Sequence, residues 1–340
     1  MAAKPVKHAS SAAAESPLER ISVLLGDDMK KVNALILQNL QSEVPLIPQV
    51  GAWLIAAGGK RIRPLLTLAS TRLYGNGSDR PFGLAAAVEF IHTATLLHDD
   101  VVDESIERRG QDSANVVFGN QASVLVGDFL FSRSFQLMVA DGSLEVLRIL
   151  SDAAAIIAQG EVMQLTTARN IETTMDEYLA VIKAKTAALF AAACEIGPLL
   201  AGYGQDEAAV MAEYGLNLGI AFQIADDVLD YSADQEKLGK TVGDDFREGK
   251  MTAPVLLALQ AGTPEERNFW ARTMTRDDGQ TPHDLVEAQK ILKKHKAFER
   301  GLDMAREYAG KARQALAEAP DGPLRGLLDE IAIFAVDRSH

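Results

Sequence analysis

The 340-residue chain is predicted to be all-α by three features of its sequence. Apolar residues recur at helical spacing from the start, at Leu18, Ile21, Leu24, Leu25, Val32, Leu35 and Ile36. Ala and Leu dominate a composition that is 47% hydrophobic but only 6% aromatic, with few β-branched clusters. Two apolar runs, AVEFIHTATLL and GLNLGIAFQIA, each lead into a short acidic word. The first word, LLHDDVVDE, supplies Asp99, Asp100 and Asp103, and the second, QIADDVLDY, supplies Asp226, Asp227 and Asp230. At about 100° per residue, positions i, i+1 and i+4 share one arc of a helix, so each word presents a dense carboxylate face. Such a face repels itself unless a cation sits in it. Oxygen-only ligands select a hard divalent ion, Mg²⁺ rather than Zn²⁺.

Composition narrows the class further. A net charge of −13 argues against a nucleic-acid partner. The single cysteine, Cys194, excludes an internal disulfide and fits a reducing cytoplasm. No run approaches the roughly twenty uninterrupted apolar residues of a transmembrane helix, so none is expected. Residues 1–17 are rich in Ala and Ser and lack the apolar core of a signal peptide; they read as a disordered N-terminal tail. No tandem repeat or linker divides the remainder, so residues 18–340 are expected to form one domain.

In chain order, a first amphipathic helix is expected from Leu18 to about Leu40, broken by Pro45 and Pro48, then a short helix to about Ala57. Gly58 and Gly59 form a turn crowded by Lys60, Arg61 and Arg63, with Pro64 placed to start another helix. Three cations at a helix N-terminus are unfavourable unless an anion shares the site. A long helix from about Phe82 to Asp103 carries His92 on its acidic face, two turns before Asp99. Arg108, Arg109 and Gly110 follow; guanidinium forks beside a carboxylate face suit a bound phosphate, the alternative being a surface loop with local salt bridges.

Three further helices are expected, in ASVLVGDFLFSRSFQLMV, SLEVLRILSDAAAIIAQGEVMQL and TMDEYLAVIKAKTAALFAAACEIG. In the third, Lys183, Lys185 and Thr186 interrupt an apolar, Ala-rich segment. The second acidic helix begins near Asp206 and places Gln223 one turn before Asp226. The glycine-punctuated loop from Ser232 to Lys250, with Lys240, Arg247 and Lys250, is a candidate lid. Amphipathic helices fill the rest, with turns at Gly262–Thr263, Asp277–Thr281 and Pro320–Pro323. Alternating acids and cations beside apolar helices suit a phosphorylated substrate with a hydrocarbon body, and no Walker, dinucleotide or Ser/His/Asp pattern competes.

GGKRIRP, FIHTATLLHDDVVDESIERRG, AKT, FQIADDVLD and GKTVGDDFREGK, in that order, resemble the successive motifs of the trans-polyprenyl diphosphate synthases. The similarity runs from about Leu18 to the C-terminus. It implies an isoprenoid-synthase fold: a single-domain helical bundle around a central cavity, with the two acidic words facing each other across its mouth. By the same resemblance the six aspartates bind Mg²⁺ ions that bridge to an allylic diphosphate. Arg108, Lys185, Thr186, Gln223, Lys240 and Lys250 match positions that hold the allylic substrate. Gly59, Lys60, Arg63, His92 and Arg109 match those that hold isopentenyl diphosphate. Arg61 has no match and is left as a surface charge.

Chain length in this family responds to the residues four and five positions before the first acidic word. Here these are Thr95 and Ala94, both small, although Ala94 would also serve close helix packing. Ile91 and Val88 lie further back, with Phe131, Phe135 and Met138 as a candidate tunnel floor. An octaprenyl-to-decaprenyl product follows, as for the side chain of a quinone such as ubiquinone. Shorter farnesyl or geranylgeranyl products, or a subunit of a heteromeric synthase, are the alternatives. A homodimer is implied by the resemblance, with transient membrane contact for product release. A class I terpene cyclase would have little use for the second basic set, and a Ca²⁺-binding protein would need a glycine-kinked loop that is absent from both words.

Overall fold

The structure is a computed structural model and describes residues 15–56, 58–75, 77–108, 110–232, 242–276 and 279–337. Of the expected tail, residues 1–14 lie outside the described residues, while Ser16 and Pro17 already belong to the first helix. Ser16 and Glu19 close a capping box there, each satisfying a backbone N–H of the other. This helix, α1 (Pro17–Leu24), and α2 (Gly26–Asn39) were expected as one. They are separated at Leu25, whose φ of −100° and ψ of 14° interrupt the helical backbone. The chain continues through α3 (Leu46–Ala56), α4 (Ile62–Tyr74) and the long α5 (Arg80–Val102). A two-residue antiparallel hairpin, β1 (Glu107–Arg108) and β2 (Gln111–Asp112), pairs Glu107 with Asp112 and leads into α6 (Ala114–Phe118).

Helices α7 (Asn120–Asp141), α8 (Leu144–Thr167) and α9 (Met175–Ile182) follow. The expected continuous helix through AKT is then interrupted by a π-helical turn, Lys183–Ala187, before α10 (Ala188–Leu200). After α11 (Gln205–Ser232), residues 233–241 lie outside the described residues, and about half of the candidate lid with them. The chain resumes with α12 (Asp244–Glu248), α13 (Ala253–Ala261), α14 (Pro264–Thr275), α15 (Asp284–Lys294), α16 (Ala297–Leu316) and α17 (Pro323–Asp337).

Helix α11 is the axis of the bundle. It packs against α10 on one side and α16 on another, and α10 in turn packs against α4 and α8. The second acidic helix is therefore buried on several faces, through Tyr214, Leu218, Ile224, Val228 and Tyr231. Tyr214 satisfies its buried hydroxyl by donating to Leu328 O at 2.8 Å. Helix α5 packs against α7, α4 and α2, which fixes the first acidic word at the edge of the same bundle. By length and composition alone α7 and α11 are long and apolar enough to cross a membrane, a test that core helices also pass; the most apolar window of α11 is 61% buried inside the bundle and that of α7 39%.

Away from the acidic words, Glu266 ties α14 to α15. It closes the capping box with Thr263 and accepts from Lys294 and from His295, the latter at 2.8 Å. Burial opposes its charge, but these donors outweigh burial and hold the carboxyl down at about 2, against an ordinary 4.5. A carboxyl depressed in the folded state stabilises above its unfolded pKa and loses that contribution as pH falls through the folded value. Glu266→Gln is therefore expected to cost on the order of 2 kcal/mol near neutral pH. Urea midpoints measured against pH should show the gap between the two proteins closing from about pH 4.5 towards pH 2.

Candidate active site

The first acidic word terminates α5, with Asp103 N donating to Asp99 O at 2.8 Å. Its three carboxylates meet three different cations. Asp100 is buried and takes Nε of Arg108 at 2.7 Å, a guanidinium aimed by the short hairpin. Asp99 lies 3.4 Å from Nζ of Lys185, which also donates to Glu161 at 2.6 Å. Asp103 accepts from Nζ of Lys250 at 3.0 Å. Burial raises the pKa of Asp100, with Arg108 pulling the other way. Burial and the Asp99 charge push Glu161 up to about 7 against the pull of Lys185.

In the second word Asp227 is buried and accepts from Nε2 of Gln223 at 2.7 Å and from the Tyr178 hydroxyl. Gln223 in turn accepts from the Thr186 hydroxyl at 2.8 Å, so Thr186, Gln223 and Asp227 form one chain of hydrogen bonds. Asp230 accepts the backbone N–H groups of Asp244 and Asp245 at 3.2 and 3.1 Å, which anchors α12 to α11. Asp226 is half-buried. Burial pushes Asp227 up to about 7 despite its donors, and Asp230 up to about 6. Asp245, beside Asp230 and Asp227, is raised for the same reason.

The turn after α12 connects the words. Lys250 follows the segment anchored by Asp230, and its ammonium reaches back to Asp103 and to Glu248. Burial works against that ammonium, but Asp103, Asp245 and Glu248 together hold it charged well above the ordinary lysine range. Lys185, Thr186, Tyr178, Gln223, Asp227 and Lys250 line one cleft.

Lys185 and Thr186 are placed by the π-helical turn, which is gripped between two glycines. A Cβ on Gly160 of α8 would lie 2.7 Å from Lys185 N, and one on Gly219 of α11 would lie 2.7 Å from Ala187 Cα. Only hydrogen fits at either position without movement of the turn.

A cation fits this set of donors. Burial and like charges raise Asp100 in the first word and Asp227 and Asp230 in the second, and Oε1 of Glu161 is buried without a hydrogen-bond partner. Among the described residues no three acids already converge on one point, and lysines lie against Asp99 and Asp103 instead. All-oxygen donors in this state suit a hard divalent ion.

The basic notch is less gathered. Gly59 and Lys60 lie on an exposed turn before α4, Arg63 stacks its guanidinium 4.5 Å from the centre of the Phe190 ring, and His92 is half-buried on α5. Arg109 and Lys240 lie outside the described residues. Arg61 is not the surface charge expected: it pairs with the buried Glu89 of α5, and its side chain is only 19% exposed. Ala94 is fully buried in the core that also holds Leu97, Val126 and Leu130, as its close-packing reading has it. Thr95 is half-buried and donates to His92 O at 2.8 Å. Leu84, Ala87, Val88, Ile91 and Met138 form a separate apolar cluster, with Phe131 and Phe135 packed on it. Sequence reasoning missed Glu161, Tyr178 and Asp245. A carboxylate inside the apolar run of α8 was the available signal for Glu161, and the second DD pair, Asp244–Asp245, was the signal for Asp245.

The Polyprenyl synthetase family profile matches residues 44–292. The chain belongs to that family. This polyprenyl synthetase is 46% identical to the octaprenyl diphosphate synthase of Escherichia coli over 323 residues, 95% of this chain and 99% of that one. A decaprenyl diphosphate synthase from Rhodobacter capsulatus is 51% identical, with a TM-score of 0.91 over 95% of this chain and 100% of the other. A polyprenyl synthase from Caulobacter crescentus, solved with calcium and isoprenyl diphosphate, is 49% identical, with a TM-score of 0.92 over 97% and 100%. The isoprenoid-synthase fold is thereby established, and this polyprenyl synthetase is a prenyltransferase.

The glycine grip on the π-helical turn has a measurable consequence. Gly160→Ala forces Lys185 away from Asp99 and is expected to lower the prenyl-transfer rate about 10²-fold, the usual cost of a displacement near 1 Å. Steady-state rates checked beside a thermal melt separate that loss from unfolding.

Proposed function

We propose that the chain is a Mg²⁺-dependent all-trans polyprenyl diphosphate synthase. It adds isopentenyl diphosphate head-to-tail to an allylic diphosphate and stops at octaprenyl to decaprenyl length, for a quinone side chain such as that of ubiquinone. The observation that carries this reading is the pair of partly buried acidic words linked through Lys185, Gln223 and Lys250 along one cleft. Relatives named octaprenyl and decaprenyl diphosphate synthases, 46% and 51% identical, support the product length.

Asp99, Asp103 and Asp226 would hold Mg²⁺ directly, with Asp100, Asp227 and Asp230 completing the two faces. Bound Mg²⁺ supplies neutralisation of the negative charge that develops on the leaving diphosphate. Arg108, Lys185, Gln223, Lys240 and Lys250 hold the allylic diphosphate. The allylic C–O bond breaks and its electron pair leaves with the diphosphate, where preorganised cations receive the charge. Gly59, Lys60, Arg63, His92 and Arg109 hold isopentenyl diphosphate so that its alkene attacks the allylic carbocation. A C–C bond forms, and the proton released from the adjacent carbon passes to the departed diphosphate. The Lys185–Thr186 pair stabilises the cation through a carbonyl or hydroxyl dipole, and the apolar walls exclude water. The growing hydrocarbon follows α5 past Thr95 towards the cluster of Ile91, Val88 and Met138.

The chain is further assigned as a cytoplasmic homodimer, its one cysteine being buried and reduced. Exposed apolar residues on α7 (Leu125, Val139) and α8 (Val162, Leu165) give the second copy a surface to cover. A light-scattering mass of one 36.6 kDa chain would contradict the dimer.

The test of function is elongation of farnesyl diphosphate with labelled isopentenyl diphosphate and Mg²⁺. A product ladder ending at octaprenyl to decaprenyl is expected, lost in chelator and reduced at least about 10³-fold in Asp99→Ala. Thr95→Phe should shorten the ladder while condensation continues. A ladder that ends at geranylgeranyl in the unaltered protein overturns the length reading.

A further inference from the structure

Three cations crowd the turn before α4, and the structure separates their situations. Lys60 is exposed, and Arg63 lies in the first turn of α4 against Phe190. Arg61 pairs with Glu89, whose side chain is only 8% exposed. The backbone pays attention to this arrangement: Arg61 has φ 47° and ψ 39°, a left-handed conformation that non-glycine residues rarely adopt. It serves as N-cap of α4 without a side-chain cap, its carbonyl accepting from Leu65 N at 3.0 Å. Gly58, three residues earlier, also has a positive φ of 72°. A left-handed arginine persists where its surroundings over-determine it. Here the buried carboxylate of Glu89 supplies that constraint, since removing the guanidinium would leave a desolvated charge without its counterion.

Glu89 stands on α5 one helical turn before His92. The ion pair therefore ties the turn that carries Gly59, Lys60 and Arg63 to the helix that carries His92. Its own charges cancel, so Arg61 contributes little net field to an incoming anion. What it controls is where its neighbours stand.

We propose that Arg61 and Glu89 are a positioning pair for the homoallylic diphosphate subsite: they hold the Gly58–Arg63 turn on α5 so that Lys60 and Arg63 converge with His92 on one diphosphate. This rests on the two-diphosphate reading above. Neither residue touches the substrate. Arg61→Gly keeps the left-handed backbone at no steric cost and deletes only the guanidinium, which separates the ion pair from the strain. Glu89→Gln removes the other partner at nearly constant shape.

The experiment measures KM for isopentenyl diphosphate, KM for farnesyl diphosphate and kcat in Arg61→Gly, Arg61→Lys, Glu89→Gln, the Arg61→Gly/Glu89→Gln double variant and Lys60→Ala, with a thermal melt of each. Arg61→Gly and Glu89→Gln are expected to raise KM for isopentenyl diphosphate about tenfold, with KM for farnesyl diphosphate within about twofold. Arg61→Lys should recover part of the loss, and the double variant should be no worse than either single one, as for residues acting as a unit. If either single variant fails to fold, the other and Arg61→Lys still give the KM comparison. A raised KM in Lys60→Ala with an unchanged KM in Arg61→Gly overturns the positioning role alone. An unchanged KM in Lys60→Ala, in protein that still elongates, overturns the subsite assignment and the positioning role with it. Both KM values rising together with a lowered melt would make the pair a purely structural tie and also overturn the proposal.

Discussion

Carboxylates held within a helical bundle are the constraint on which the rest of this structure depends. Each acidic word places an aspartate, Asp100 or Asp227, where water cannot solvate it. The protein responds by bringing donors from distant parts of the chain: Arg108 from a hairpin, Lys185 from a π-helical turn, Tyr178 from α9 and Lys250 from beyond α12. These ties also define the fold's least regular segments. The hairpin, the π-helical turn and the Lys250 turn each deliver a cation to an aspartate, and none is regular α-helix.

The resulting electrostatics are unfinished in the protein by itself. Burial and like-charge repulsion still raise Asp227, Asp230 and Glu161, although lysines and neutral donors oppose the shift. Such a site gains from a divalent cation and from an anion that can accept the displaced lysines. A metal–diphosphate complex brings both. Under the proposed function the acids would take the metal, and Lys185 and Lys250 would turn to the phosphate oxygens. The close approach of α8 and α11 to the π-helical turn, at Gly160 and Gly219, fixes the backbone that carries Lys185 and Thr186.

Much of this was legible in the sequence, for reasons tied to particular residues. The acidic words could be read because their spacing is a property of one helix, and α5 and α11 form where the apolar runs place them. Lys185 and Thr186 were legible as polar residues inside an apolar segment, but the π-helical turn that carries them was not, since no proline or glycine within Lys183–Ala187 marks it. Tyr178 and Asp245 gain their significance only from tertiary neighbours, Asp227 and Asp230, far away or across a loop in sequence. Arg61 was misread as a surface charge because nothing near it in the sequence supplies its partner. Glu89, 28 residues later, makes the difference.

Calorimetric titration of farnesyl diphosphate into the purified protein, with and without Mg²⁺, tests the central claim most directly. The account predicts heat of binding in the presence of Mg²⁺, little or none in chelator, and a large loss of affinity in both Asp99→Ala and Asp226→Ala. Equal affinity with and without Mg²⁺ would contradict it, because the two carboxylate faces would then have no part in holding the diphosphate.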